Sequence, residues 1–255
     1  MKIEEYLASL PRSIISGEDV QLPNKAFREL FQFVKLYKED TFYHLGCGDG
    51  RGLAIAIEEF GVRKCVGIDN DQKKIFSARK LFEEKKITNV TLRCEDITKS
   101  DISDATVVLF WFTEQQIVEK MTERFSRLKD GCRVITIWGP LPGFLPDKVD
   151  FPYILNVMPL KKAKDLKEQL LAVFGKDCVD FTTAWEYAER YTKAIGSSEA
   201  GNDRFLTIMQ SLIIWINAKN LGVACGDEIP QPIKTYIGIL KTFFNIDVEY
   251  LLNHS

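Results

Sequence analysis

The stretch Thr41-Phe-Tyr-His-Leu-Gly-Cys-Gly-Asp-Gly-Arg51 decides the fold. It has the pattern of a short buried strand, a turn with three alternating glycines, and the start of the helical run Leu53 to Phe60. Glycine suits a strand-to-helix reversal because it adopts positive φ and lets the backbone approach a ligand closely. The spacing Gly-x-Gly-x-Gly departs from the Gly-x-Gly-x-x-Gly of dinucleotide sites, so a tight turn without a ligand is the alternative interpretation.

Three more strands are predicted around this turn. Two of them end in acidic residues, and the third is almost continuously apolar, as expected of a strand covered on both faces. These strands are Lys64 to Asp69, Val90 to Asp96 and Ala105 to Phe112. Alternation of strands with helices predicts a parallel sheet with right-handed crossovers, in which the strand ends meet at one crevice. An acid at the end of the second strand is well placed to accept hydrogen bonds from ribose hydroxyls.

The stretch from about Leu22 to Asp150 resembles the class I S-adenosylmethionine-dependent methyltransferases. Within that superfamily it is most similar to the small archaeal protein-lysine methyltransferases. The resemblance rests on Leu-Gly-Cys-Gly-Asp-Gly-Arg at 45 to 51, on Cys65-Val-Gly-Ile-Asp69, and on Asp101 to Val108. It implies an α/β, Rossmann-like fold with a mainly parallel sheet. The expected division is a methyltransferase domain over residues 1 to 158, with N-terminal helices in 1 to 40, and a C-terminal helical extension over 159 to 255.

The resemblance also implies the cofactor, S-adenosyl-L-methionine, and the residues that bind it. The glycine turn would cradle the methionine part, Asp69 would bind the ribose hydroxyls, and Asp96 with Ile97 would hold the adenine. The cofactor-binding residues expected on this basis are Gly46, Cys47, Gly48, Gly50, Asp69, Asn70, Asp96 and Ile97.

One position departs from the family pattern. The family usually has an acid where this chain has His44. That acid helps to fix the glycine turn and the amino group of the cofactor's methionine part. A histidine at this position is therefore expected to affect the affinity for the cofactor.

Acceptor positioning is assigned to Trp111, Phe112 and Thr113, at and just beyond the end of the fourth strand. Methyl transfer from a sulfonium is an in-line displacement that depends mainly on positioning. Aromatic faces favour the cationic sulfonium and ammonium groups. The Asn/Asp-Pro-Pro-Tyr/Phe motif of adenine and glutamine amino-methyltransferases is absent, since Phe110-Trp-Phe-Thr113 stands in its place.

A protein lysine is the acceptor that this pattern and the resemblance favour. The alternatives are a small metabolite or RNA acceptor, and a non-catalytic protein that keeps the fold for binding. The formal net charge of −2 does not favour nucleic acid as the partner.

Composition predicts an ordinary globular protein with a cytoplasmic location. Its longest apolar run, Phe205 to Ile216, is too short to span a bilayer. Six cysteines without a Cys-x-x-Cys pair, and only two histidines, argue against a metal site and against a disulfide framework, so reduced thiols are expected.

Helices outside the sheet are predicted from apolar periodicity, with a fifth strand at 132 to 138 and a sixth at 151 to 158. The irregular stretch Gly139 to Pro146 either lines the acceptor side or is a plain connection. Tyr187, Arg190 and Tyr191 share one helix face, which is either a substrate lid or a partner surface, or else ordinary core packing or a solvated edge. The predicted helices span 24 to 37, 71 to 86, 114 to 128, 163 to 174, 182 to 195, 202 to 221 and 231 to 252.

Overall fold

A computed structural model describes residues 22–112, 114–195, 203–226 and 228–247 of the chain. Within these residues the chain forms two compact units, which divide between Ala163 and Lys164. The first unit carries the sheet, and the second is helical. The predicted helical segments before residue 22 lie outside the described residues.

The first unit is built on a seven-stranded sheet of β1 Thr41–Leu45, β2 Lys64–Asp69, β3 Val90–Cys94, β4 Val107–Phe110, β5 Arg133–Ile137, β7 Lys148–Asp150 and β8 Tyr153–Val157. Strands β1 to β5 are parallel, and β8 and β7 are antiparallel to their neighbours. Their order across the sheet is β3-β2-β1-β4-β5-β8-β7. Two further strands, β6 Phe144–Leu145 and β9 Lys161–Lys162, form a separate pair.

Burial explains why the central strands have these sequences. All four residues of β4 are buried, and so are the last four residues of β1 and of β5. Strands covered by helices on both faces need apolar side chains at successive positions, which is the pattern of this sequence. The predicted α/β, Rossmann-like fold with a mainly parallel sheet is confirmed.

Four helices cover the sheet in the first unit: α1 Asn24–Val34, α2 Arg51–Glu58, α3 Gln72–Glu84 and α4 Gln115–Phe125. Helix α3 begins where the sequence predicts, because the Asp71 side chain accepts hydrogen bonds from the backbone N–H groups of Lys73 and Lys74. Helix α1 ends three residues before the predicted Tyr37, because Lys35 adopts a left-handed conformation at φ 53°.

The region after β5 differs in detail from the prediction. The predicted sixth strand, 151 to 158, is shorter in the structure, since β8 begins at Tyr153 after Phe151 and Pro152. An additional edge strand, β7, precedes it and pairs with it. Proline cannot donate a hydrogen bond to a neighbouring strand, so Pro152 belongs in the turn between the two strands.

The second unit contains α5 Leu166–Phe174, α6 Phe181–Ile195, α7 Asp203–Asn220 and α8 Gln231–Phe244. Its core surrounds Trp215, which is fully buried. Helix α8 ends before the predicted residue 252, because Asn245 is left-handed at φ 53°. Among the described residues no helix combines the length and the apolar character needed to cross a bilayer.

The shared face of Tyr187, Arg190 and Tyr191 belongs to the packing of this second unit. The Tyr187 hydroxyl donates a hydrogen bond to the Phe174 carbonyl at 2.7 Å, and the two rings meet edge to face. Arg190 lies over the Tyr187 ring and pairs with Glu186 on the same helix. The packing interpretation of this face accounts for these contacts.

The expectation of reduced thiols without a disulfide was wrong for one pair. Cys178 and Cys225 form a disulfide, although 47 positions separate them in the sequence. Val179 and Ala224, beside the two cysteines, form an isolated parallel bridge. Sequence spacing could not reveal this pair because backbone pairing between distant segments brings the two cysteines together.

A buried ion pair joins helix α1 to the sheet. Arg133 donates to the Asp40 carboxylate at 2.5 Å, and both side chains are largely shielded from solvent. The same guanidinium donates to the carbonyls of Val34 and Lys35 at the end of α1. Asp40 also accepts from the Thr106 hydroxyl at 2.7 Å. Each charged group therefore has several hydrogen bonds, as a buried charge requires.

Removal of one partner of this pair should destabilise the fold strongly. Replacing Asp40 by alanine would leave the Arg133 guanidinium buried without its counter-ion, which costs about 3–5 kcal/mol of unfolding free energy. Urea unfolding followed by circular dichroism measures this loss. Lys85→Ala is the control, because its pair with Glu58 is exposed and should contribute less than about 1 kcal/mol. Equal effects of the two variants would contradict this account of the Asp40 pair.

Candidate functional site

The glycine turn lies at the carboxyl end of β1, in the middle of the sheet. Gly46, Gly48 and Gly50 all have positive φ, at 77°, 56° and 80°. Two hydrogen bonds tie the start of the turn to β2, since the N–H groups of Gly46 and Cys47 both donate to the Ile68 carbonyl. A backbone in this conformation requires glycine, because a side chain at positive φ is strained.

Asp69, the last residue of β2, connects the turn to its neighbouring strand. One carboxylate oxygen accepts a hydrogen bond from the Gly48 N–H at 2.9 Å, and the other accepts from the Asp71 N–H at 2.9 Å. Asp69 is buried. Each carboxylate oxygen can accept a second hydrogen bond, so the group retains the capacity to bind a hydroxyl.

Side chains pack tightly behind the turn. A Cβ added at Gly46 would lie 3.0 Å from the ring tip of Phe112, and one added at Gly50 would lie 2.9 Å from the Phe82 ring. Gly67 of β2 has the same constraint, because a Cβ there would lie 2.5 Å from Leu53. Glycine at these three positions therefore makes room for neighbouring side chains, and Gly46 and Gly50 also carry the positive φ of the turn.

Asp96 and Ile97 lie just beyond the end of β3. The Asp96 carboxylate accepts from both the backbone N–H and the hydroxyl of Thr98, and these hydrogen bonds lower its pKa. The Ile97 side chain is buried in the core, while Asn70, after β2, is exposed. The predicted adenine-binding residues thus follow the end of β3, the strand next to Asp69.

Trp111 and Phe112 follow the end of β4 and are half-buried. The Phe112 ring stacks on Phe110 at a centroid distance of 5.0 Å and also lies against Gly46. The structure therefore brings the predicted acceptor residue Phe112 into contact with the predicted cofactor turn. Thr113 lies outside the described residues.

Cys47 and His44 are both buried and both uncharged. Burial raises the pKa of the Cys47 thiol. Burial also lowers the pKa of His44 to about 4, although the negative charge of Asp49 raises it in part. The His44 ring lies between Phe27 and Phe42, and its Nδ1 atom has no hydrogen-bond partner within the described part of the chain.

Sequence reasoning missed two features of this site. Arg51 forms a bidentate pair with Asp49 inside the turn, which the motif itself contains and could have indicated. Gly52 permits a close contact, because a Cβ there would lie 2.4 Å from the Phe27 ring. That second contact joins α1 to α2, and no local sequence signal predicts it.

The strand order defines the class of site. Strands β2 and β3 lie on one side of β1, and β4 and β5 lie on the other, so the direction of chain progression reverses between β1 and β4. Open α/β sheets bind their ligands at the carboxyl ends of the strands at this point. The glycine turn, Asp69 and Phe112 all follow strand ends at this edge of the sheet, which is the candidate site.

Comparison with known proteins identifies the family. The family model that describes the ANTKMT methyltransferase domain matches residues 44–148 of this chain. A protein-lysine N-methyltransferase of Saccharolobus islandicus is 31% identical over 132 residues, which cover 51% of this chain and 81% of that protein. A trans-aconitate 2-methyltransferase of Rhizobium leguminosarum is 24% identical over 208 residues, which cover 81% of this chain and 72% of that protein.

The solved structures include an RNA methyltransferase from Salinibacter ruber in complex with S-adenosyl-L-homocysteine. It matches with a TM-score of 0.53 and 27% identity, covering 58% of this chain and 99% of that one. The chain belongs to the class I S-adenosylmethionine-dependent methyltransferases. It is an enzyme of that class, and S-adenosylmethionine is its cofactor.

The buried histidine gives the folded state a specific sensitivity to acid. Its folded pKa of about 4 lies below the unfolded value of about 6.5, so the unfolded state binds a proton first as pH falls. The neutral His44 ring contributes fully to the free energy of unfolding above about pH 6.5, and this contribution is lost as the pH falls toward 4. Between pH 7 and 4 the wild type should lose about 3 kcal/mol more unfolding free energy than a His44→Phe variant.

Urea unfolding at several pH values measures this difference, and the variant shares every other titrating group with the wild type. Parallel losses in the two proteins would show that His44 does not titrate as a buried neutral ring.

Proposed function

We propose that this chain transfers methyl groups from S-adenosylmethionine to a lysine side chain of a protein. The observation that carries the proposal is the similarity to the Saccharolobus islandicus protein-lysine N-methyltransferase, of which the chain covers 81% at 31% identity. The half-buried aromatic residues at the end of β4 support it, because they suit an amine acceptor chemically.

We assign the cofactor to the glycine turn and the neighbouring strand ends. Gly46, Cys47, Gly48 and Gly50 would cradle its methionine part, Asp69 with Asn70 would bind its ribose, and Asp96 with Ile97 would hold its adenine. The fit is supported by the positive φ of the three turn glycines and by the unused accepting capacity of the Asp69 carboxylate.

The bound cofactor supplies an electrophilic methyl group on a sulfonium. In the proposed transfer the lysine nitrogen would form the new N–C bond with its lone pair, and the electrons of the C–S bond would stay on sulfur. Because that lone pair must be free, the amine has to lose a proton before transfer. Phe112 and Trp111 would exclude water around the amine, which raises the share of its neutral form.

RNA or a small metabolite is the alternative acceptor. The structural match to the Salinibacter ruber RNA methyltransferase favours RNA, and the similarity to trans-aconitate 2-methyltransferase favours a small carboxylate. The charge balance of the chain, at −2, does not add support for a polyanionic substrate.

We also propose a cytosolic location. Four of the six cysteines are free thiols, as expected in a reducing compartment, whereas a disulfide such as Cys178–Cys225 is rare there. Two backbone hydrogen bonds also join the segments that carry this disulfide, from the Val179 N–H to the Val223 carbonyl and from the Cys225 N–H to the Val179 carbonyl.

Labelling with a deuterated methyl group tests the acceptor. The purified enzyme and labelled S-adenosylmethionine are incubated in three separate reactions. The first contains a protein extract, the second total RNA, and the third a metabolite extract. The proposal predicts label on lysine ε-amines, located by peptide mass spectrometry. Label confined to RNA or to a carboxylate ester would contradict it.

A Phe112→Leu variant should bind the cofactor but transfer the methyl group at least about tenfold more slowly, because it loses the aromatic ring face.

The same reaction should accelerate with pH. A free lysine amine has a pKa of about 10.4, so the neutral share rises about tenfold per pH unit below that value. Desolvation lowers the pKa and moves the plateau to lower pH. A carboxylate acceptor is already ionised at neutral pH, and a flat profile from pH 6 to 9 would count against an amine.

A further inference from the structure

The Cys178–Cys225 disulfide lies where a dissolved thiol can reach it. Both of its cysteines are half-buried and belong to connections between helices, whereas three of the four free cysteines are buried. Thiol–disulfide exchange requires a thiolate to approach one of the two sulfur atoms. The bonded pair is therefore more open to exchange than most of the other cysteines of this chain.

Free thiols and a disulfide occur together in this chain, and their combination favours a reversible bond. Disulfides are rare in the cytosolic location proposed above, and those that occur there are usually transient and either catalytic or redox-sensing. The pair belongs to the helical unit, whereas the candidate site belongs to the sheet unit. A redox-sensing role accounts for this placement better than a catalytic one.

The disulfide closes a long loop of the helical unit. Cys178 lies just before α6, and Cys225 lies in the connection between α7 and α8. The two cysteines are 47 positions apart, so the closed loop contains the whole of α6 and α7. A cross-link over such a loop restricts the conformations of the open chain, and this one acts directly at the approach to α8.

Helix α8 packs on the rest of the helical unit through one face. The opposite side carries Phe243, which is 77% exposed. The half-buried Tyr236 ring meets the rings of Phe181 and Trp185 on α6 at centroid distances of 6.0 and 6.3 Å. The buried side chains on the packed face are Ile233, Ile237 and Leu240. A helix attached along one face is an element that can open locally while the remainder of its unit stays folded.

We propose that Cys178 and Cys225 are a reversible thiol–disulfide pair that, in its oxidised form, latches the start of α8. Two molecules of a small thiol such as glutathione reduce the bond: each cysteine gains one electron and one proton, and the two small thiols leave as their own disulfide. The backbone hydrogen bonds beside the pair, made by Val179, remain after reduction. Helix α8 then opens more often. The inference does not depend on which acceptor is methylated.

Hydrogen exchange measured by mass spectrometry tests the latch in the full chain. The wild type is equilibrated with glutathione disulfide or with an excess of reduced glutathione, and alkylation after denaturation counts the thiols. Four thiols are expected in the oxidised protein, and all six cysteines in the reduced one. A Cys178→Ser/Cys225→Ser variant cannot form the bond. Cys94→Ser is the matched control, because Cys94 is an exposed cysteine outside the pair.

Reduction of the wild type should accelerate exchange of the α8 amides at least about tenfold, because the latch no longer opposes local opening. Exchange in β1 to β5 and the affinity for S-adenosylhomocysteine should change by less than about twofold, since both belong to the sheet unit. The double variant should show fast α8 exchange under both conditions, and Cys94→Ser should respond to reduction as the wild type does.

Equal α8 exchange in the oxidised and reduced protein would overturn the proposal, and so would an equal acceleration throughout the chain. A bond that excess glutathione leaves intact in the folded protein would be a permanent structural cross-link, which also contradicts a reversible pair. Six thiols after treatment with glutathione disulfide would contradict it as well. None of these results bears on the lysine proposal, because that is tested by the identity of the labelled acceptor.

Discussion

The site depends on the two hydrogen bonds that the Asp69 carboxylate accepts. One reaches Gly48 in the turn after β1, and the other reaches Asp71 at the start of α3. A single buried group thus fixes the turn against the neighbouring strand and against the next helix. Hydrogen bonds to an ionised acceptor are stronger than neutral ones, and burial strengthens them further. The Gly46 and Cys47 N–H groups add two more hydrogen bonds from the turn to β2, through the Ile68 carbonyl.

Much of the sheet could be predicted because its signals are local. Apolar runs such as Val107 to Phe110 indicate strands covered on both faces, and Asp71 before an amphipathic run indicates a helix start. The short strands β6, β7 and β9 were not predicted, since two or three residues leave no periodic signal. Their pairing depends on contacts between segments rather than on composition.

In the candidate site, too, local signals could be predicted from the sequence, and contacts between distant segments could not. Gly46, Asp69 and Asp96 were predicted from motif and strand order, and the structure places them along one edge of the sheet. The contact of Phe112 with Gly46, the approach of Phe27 to Gly52 and the Cys178–Cys225 disulfide were not predicted. Each joins residues far apart in sequence, and only the folded topology brings them together.

Binding of S-adenosylhomocysteine to the wild type and to Asp69→Ala tests the central claim most directly. Asp71→Ala is the matched control, because it removes a neighbouring carboxylate that only caps α3. The account predicts that Asp69→Ala weakens binding by at least about a hundredfold, through loss of the ribose hydrogen bonds and of the fixed turn. Asp71→Ala should bind within about threefold of the wild type, at a cost of about 1 kcal/mol in stability. Wild-type affinity in a folded Asp69→Ala variant would contradict the assignment of the cofactor site to this edge of the sheet.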